Sequence, residues 1–320
     1  AAMTAVKELD RVVEHMRLDL AQRPPSGIKP LLDALQTRYG DALLALVLYG
    51  STRRSADPRD GLVDLLVLVS SYHEVHGHGM SALFNRLLPP NVYYLEAGQE
   101  AGHEVNPEQA RLRCKYNVVS LEHFTQRTAG GLDSYFWARF TQPCRLVWCR
   151  DSEVAERLAV CRSRAAAVYA EEGVALGAAR LDALGFWQRL IGATYGCELR
   201  PEPPGAATAL VERDPEFWIT LSHILLPQLE GVVPHGDQFK IEQKMAAPIR
   251  WTRRRIWGRT LNVLRLLKAA GTFSNGIDYL CWKLERHSGI RVEPTERMRR
   301  HPRLAAWGLL FRVIRSGALR

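Results

Sequence analysis

The sequence predicts a mixed α/β (α+β) protein on three observations. Two runs of Leu and Val, 43–49 and 62–69, have the composition of strands buried on both faces. Shorter strand-like runs follow near 92–96, 111–119 and 145–149. From Asp151 onward the apolar residues fall at helix period instead. A sheet comes first, then a helical region.

The elements follow in order. Val6, Leu9, Val12, Val13, Met16 and Leu20 lie at helical spacing, and residues 1–40 read as helix broken at Pro24-Pro25-Ser26-Gly27. This start contains acidic residues and lacks the apolar centre of a signal peptide, so an ordinary amphipathic helix and a cytoplasmic protein are expected. Residues 111–119 alternate as a half-buried strand does. Residues 70–90 hold His73, His76 and His78 in a Gly-rich setting that reads as a loop rather than a zinc site. An Ala-rich helical stretch covers 151–198, PEPPGAA at 201–207 is a linker, and 209–232 is helical again. Residues 249–270 form a basic amphipathic helix, with Ile256, Thr260, Val263 and Leu267 along one face and Arg253, Arg254, Arg255 and Arg259 near its start. Residues 304–319 repeat the idea with Trp307 and Phe311 among Arg303, Arg312 and Arg315. Three units are expected: 1–150, 151–245 and a basic segment, 246–320.

Charge is unevenly placed. Residues 240–320 carry 19 Lys and Arg against 5 Asp and Glu, a net of +14, which leaves 1–239 at −5. A basic segment on an acidic body implies a polyanionic partner: nucleic acid, anionic lipid or nucleotide phosphate. No run of eighteen apolar residues predicts a transmembrane helix. The six cysteines have no CxxC pair and read as reduced thiols.

One stretch carries chemistry. The first strand stops at Gly50-Ser51, an Arg-rich loop with Arg53 and Arg54 follows, and a second strand carries a lone Asp64, with twelve residues between Ser51 and Asp64. An unpaired carboxylate inside a core strand is too costly to be casual. A Gly-Ser turn lets backbone N–H groups approach a triphosphate, and an Asp on the next strand holds a divalent metal against it. This is the layout of polymerase-beta-type nucleotidyltransferases. Where many of them carry a second carboxylate, two residues on, this chain has Leu66.

Several patches together resemble the mitochondrial-type phosphatidate cytidylyltransferases, the soluble CDP-diacylglycerol synthases. Tyr49-Gly50-Ser51 matches the family's opening motif, and Asp64 its hydrophobic-Asp-hydrophobic strand. His76 stands where the family has a Trp-His pair, and Tyr93-Tyr94 follow in register. Lys115 to Ser120 is similar to KYGVVS with Asn117 in place of Gly. Tyr135, Arg139 and Pro143 match a further stretch, Tyr195, Glu198 and Arg200 another, and Arg250, Arg255 and Arg259 a C-terminal basic trio. The likeness covers roughly 45–270. It implies a polymerase-beta-like nucleotidyltransferase domain with a mixed sheet, then a helical or winged-helix-like domain and a basic C-terminal helical segment.

The resemblance also implies a reaction: CMP passes from CTP to phosphatidic acid, giving CDP-diacylglycerol and pyrophosphate with Mg2+ at the inner membrane surface. Asp64, the metal ligand, and Lys115 would be catalytic. Tyr49, Gly50, Ser51, Arg250, Arg255 and Arg259 would bind the nucleotide, and Arg139, His76, Tyr195 and Arg200 the second substrate. No nucleic acid is expected as a partner. Two other functions fit the same residues: a nucleotidyltransferase acting on RNA, protein or a small molecule, and a catalytically inactive nucleotide-binding relative.

Overall fold

The computed structural model describes residues 9–55, 57–76, 90–97, 112–198, 203–242, 247–272, 295–300 and 308. Its centre is a five-stranded mixed sheet of β1 (Leu43–Tyr49), β2 (Leu62–Val69), β3 (Asn91–Ala97), β4 (Leu112–Ser120) and β5 (Arg145–Cys149), in the order β3-β4-β2-β1-β5. Only β2 and β4 run parallel; β1 pairs antiparallel with β2 and β5, and β3 with β4. β1 is buried along its whole length, as its unbroken Leu/Val run requires.

The two faces of the sheet have different covers. Leu46, Leu48, Val63, Leu65, Val67 and Tyr116 pack with Leu31 and Leu35 of α2 (Lys29–Tyr39). The opposite face, with Ala45, Val47, Tyr49, Leu66, Leu68 and Val119, packs on Phe124, Phe136, Phe140 and Leu158. Those four come from α4 (Leu121–Thr128), α5 (Tyr135–Thr141) and α6 (Ser152–Val174). Two of the helices start on caps placed by the strand before them. Ser120 at the end of β4 accepts from the His123 N–H at 3.3 Å, and Asp151 after β5 accepts from the Val154 N–H at 2.8 Å.

A second core joins α1 (Leu9–Leu20), α6, α7 (Ala183–Tyr195) and α9 (Pro215–Leu225) around Trp137, Trp187 and Trp218. α8 (Ala206–Glu212) packs beside α7. α1 is tied down by a buried charge cluster. Asp19 accepts from Arg145 Nη1 at 3.0 Å, Arg162 Nη2 at 2.8 Å and the Cys144 N–H at 2.8 Å.

Several expectations need correction. Residues 72–76, read as loop, form a short helix, α3 (Tyr72–His76). Residues 151–245 also contain a small antiparallel sheet, ordered β6-β8-β7, of β6 (Ala179–Asp182), β7 (Val232–His235) and β8 (Gln238–Ile241). Its four-residue strands are too short to leave a period in the sequence. α10 (Ala247–Thr272) forms as expected, and α11 (Glu296–Arg300) is a short helix further on; most of 304–319 lies outside the described residues. Among the described residues no helix is long and apolar enough to cross a membrane.

Candidate functional site

The ends of β1, β2 and β4 bring one row of side chains together. Tyr49 is opposite Asp64, Asp64 is opposite Lys115, and Lys115 is opposite Tyr94 of β3. Tyr49, Asp64 and Lys115 therefore share the sheet face that α5 covers. Val63 and Leu65, the neighbours of Asp64, point the other way into the α2 side of the core.

Gly50 ends β1 with φ +77°, a conformation that L side chains rarely adopt. A Cβ there would lie 2.9 Å from Asp64 Oδ2. The turn thus lays bare backbone directly on a carboxylate. Ser51 opens the one-turn 3-10 segment 51–54 and is exposed. Thr52 Oγ1 ties that turn back to β2 by donating to the Leu62 carbonyl at 2.8 Å. Arg53 and Arg54, expected near the same loop, both turn to Asp214 at the start of α9, Arg53 Nη2 donating at 2.6 Å. They join the loop to the helical layer instead of facing the Gly-Ser turn.

α5 supplies the cation. The Arg139 guanidinium carbon lies 5.8 Å from the Tyr49 ring centroid and 5.6 Å from that of Tyr135, within cation–π range of both. Among the described residues no carboxylate lies within ion-pair distance of Arg139, although Asp64 and Glu198 are close enough to act on its charge. Burial disfavours that charge, but Tyr135, Glu198, Tyr49 and Asp64 outweigh it and hold the guanidinium above its ordinary value. Both phenols are pushed up, chiefly by burial, and stay protonated at neutral pH.

Asn117 is buried beside this pair. Its Nδ2 donates to Tyr49 Oη at 2.6 Å and to Tyr135 Oη at 2.9 Å, and its register partner on β2 is Leu66. Leu66 is itself fully buried, so the position of the missing second carboxylate is core. A second acidic group comes from elsewhere: Glu198, three residues beyond the end of α7, acts on both Arg139 and Tyr135.

The basic helix closes the outer side with a largely polar inner stripe. Its inward stripe is Trp251, Arg254, Gly258 and Arg265. Arg254 pairs with buried Glu172 of α6, Arg250 reaches the same carboxylate, and Trp251 Nε1 donates to the Glu172 carbonyl at 3.1 Å. Arg254 also lies over the Trp137 ring at 4.8 Å. A Cβ on Gly258 would sit 2.6 Å from the Cys197 carbonyl oxygen, so the glycine admits this close approach. Arg265 pairs with Asp133 and lies 5.1 Å from the Tyr135 ring centroid. Ile249, Ile256, Trp257 and Leu264 are exposed. Ile256 therefore faces solvent, and the side chains of Val263 and Leu267 lie outside the described residues.

The expected site residues thus divide. Tyr49, Gly50, Ser51, Asp64, Lys115 and Arg139 meet at the strand ends. Tyr195 is the last residue of α7, three positions before Glu198. Arg250 is engaged by Glu172, while Arg255 and Arg259 are exposed and their charges reach Cys197, next to Glu198. The His76 side chain and Arg200 lie outside the described residues. Asp133 and Arg265 carry no sequence signal, because each is recognisable only through the other.

No protein-family model matches this chain, and no curated protein matches its sequence.

Proposed function

We propose that the protein is a magnesium-dependent nucleotidyltransferase that joins CTP to phosphatidic acid, giving CDP-diacylglycerol and pyrophosphate at an anionic membrane surface. The observation that carries this reading is the contact between the positive-φ Gly50 and the Asp64 carboxylate at the ends of β1 and β2. It supplies backbone amides for a triphosphate beside a carboxylate for the accompanying cation. The sheet would then be a polymerase-beta-like domain. The order α6-β6-α7-α8-α9-β7-β8 supports a winged-helix-like second domain.

The donor set fits Mg2+ that arrives with its nucleotide. Asp64 supplies one carboxylate, and phosphate oxygens and water complete the shell. Among the described residues no cluster of three His, Cys, Asp or Glu could hold an ion by itself. When bound, the cation neutralises charge on the triphosphate. The protein's own cations do the rest: Lys115 beside Asp64 faces the phosphates, and Arg139 takes the acceptor's phosphate. A phosphate monoester, with a second pKa of about 6, is largely ionised at pH 7 and needs no strong base. Leu66 in place of a second strand carboxylate is compatible with that acceptor.

The lipid half of the reading rests on α10. Its outward face sets Ile249, Ile256, Trp257 and Leu264 among exposed Arg253, Arg255 and Arg259, the composition of a helix that lies on an anionic bilayer. Magnesium-dependent pyrophosphate release from CTP, assayed with and without phosphatidate, tests the proposal. Release that requires phosphatidate is expected. Release with an RNA, protein or small-molecule acceptor, or none with any, would replace it.

A further inference from the structure

We propose that Asn117 is a positioning residue: it fixes the two tyrosines between which Arg139 is presented to a phosphate-bearing ligand. This rests on the nucleotidyltransferase reading only for the identity of the ligand. The cradle itself stands on geometry.

Arg139 is a cation on a short helix without a carboxylate partner among the described residues, so its direction must be set by something else. What it has is two rings, Tyr49 from the end of β1 and Tyr135 from the first turn of α5. Ring contacts alone orient a guanidinium loosely, because it can slide and rotate over a ring face at little cost and a ring that turns edge-on loses the attraction. A single buried amide removes that freedom. Asn117 Nδ2 donates to both hydroxyls, at 2.6 Å and 2.9 Å, and so joins a strand tyrosine to a helix tyrosine. Tyr135 is braced from the outside as well: its N–H donates to Asp133 Oδ1 at 3.2 Å, and Asp133 holds Arg265, whose guanidinium lies over the Tyr135 ring.

The amide has a cost that packing does not explain. Asn117 is 1 % exposed, and its Oδ1 has no hydrogen-bond partner. On this face β4 continues with Val119, and Leu66 lies opposite on β2, so an apolar side chain would fill the space without a stranded acceptor. A buried polar group with one unmet atom is accounted for by what its other atom holds. Here that is the pair of hydroxyls behind Arg139.

The test is a double-mutant cycle with a structural readout beside it. Binding of inorganic phosphate and of a water-soluble short-chain phosphatidate, the acceptor side that Arg139 serves, is measured by calorimetry for the wild type, Asn117→Leu, Arg139→Ala and the double variant. Asn117→Leu should weaken binding about tenfold in the wild-type background and have no further effect once Arg139 is gone, the signature of residues that act as one. Equal losses in both backgrounds would overturn the proposal. In parallel, the Arg139 Nε–H resonance, assigned by its loss in Arg139→Lys, reports the two rings through their ring currents. It should move toward the exposed-arginine position in Asn117→Leu and in Tyr135→Phe, and hold near its wild-type position in Asn117→Asp, which accepts from both hydroxyls. An unmoved resonance in a folded Asn117→Leu would refute the cradle. If the wild type binds neither probe, the phosphatidate-acceptor reading fails and the resonance still decides the role of Asn117.

Discussion

Gly50 and Asp64 are in contact through a side chain that is missing: the place of a Cβ on Gly50 lies 2.9 Å from Asp64 Oδ2. Substitution at Gly50 therefore acts twice, on a backbone at φ +77° and on the carboxylate beside it. Gly50→Ala should cost about 1 kcal/mol of stability from the positive φ and abolish magnesium-dependent nucleotide binding. Thermal melts and calorimetry with CTP measure the two effects separately.

Asp64→Asn keeps the shape of the side chain and removes its charge. Turnover should fall below detection while the melting temperature stays within about 2–4 °C of wild type, the shift that ~1 kcal/mol gives a chain of this size. Near-normal pyrophosphate release with the same magnesium optimum would place the cation elsewhere.

Glu172 is the buried anchor for α10. Removing it in Glu172→Ala leaves Arg254, 2 % exposed, as a buried cation without its carboxylate. A loss of about 3–5 kcal/mol in urea unfolding is expected, together with early proteolysis within 247–272. A loss below ~1 kcal/mol would mean that Trp251, Gly258 and the Arg265–Asp133 pair suffice to seat the helix.

Asp214 binds both Arg53 and Arg54, and the Arg53 side chain is 3 % exposed. Asp214→Ala should destabilise the protein by about 3 kcal/mol and speed hydrogen exchange in residues 50–55. Exchange that quickens only around α9 would show that the pair serves the helix and not the loop.

His15 packs on Phe217 with ring centroids 4.6 Å apart, and its Nε2 is buried without a hydrogen-bond partner. Burial pulls its pKa below the ordinary 6.5, against a smaller opposing pull from Asp19. The unfolded chain therefore takes up the proton first. The stabilisation from a neutral His15 is complete above about pH 6.5 and fades as pH falls through the lower folded value. Denaturant midpoints between pH 5 and 7.5 should drop on the acidic side for wild type and drop less for His15→Gln.

The sheet was legible where composition alone decides. The Leu/Val runs of β1 and β2 fell at 43–49 and 62–69 as expected, and the lone Asp64 marked the row it shares with Tyr49 and Lys115. What could not be read depends on distant partners. Arg53 and Arg54 looked like free cations near a turn, because Asp214 is some 160 residues away. Which face of α10 turns inward depends on a distant partner in the same way: a buried Glu172 on α6 draws Arg254 inward and leaves Ile256 and Trp257 exposed. The hairpin of β7 and β8 is not legible because β7 carries Pro234 and the polar–apolar alternation of β8 lasts only four residues.

The orientation of α10 has a consequence for how it responds to its surroundings. It is seated by ion pairs, of which Arg254–Glu172 is shielded from water, and it carries much of its greasy area on the outside. Salt weakens attraction between exposed arginines and a charged surface over a Debye length of about 8 Å, but hardly reaches a pair in the interior. Letting go of a surface and letting go of the protein are therefore separate events for this helix. On the proposed lipid-surface reading, it would leave a bilayer without leaving its own fold.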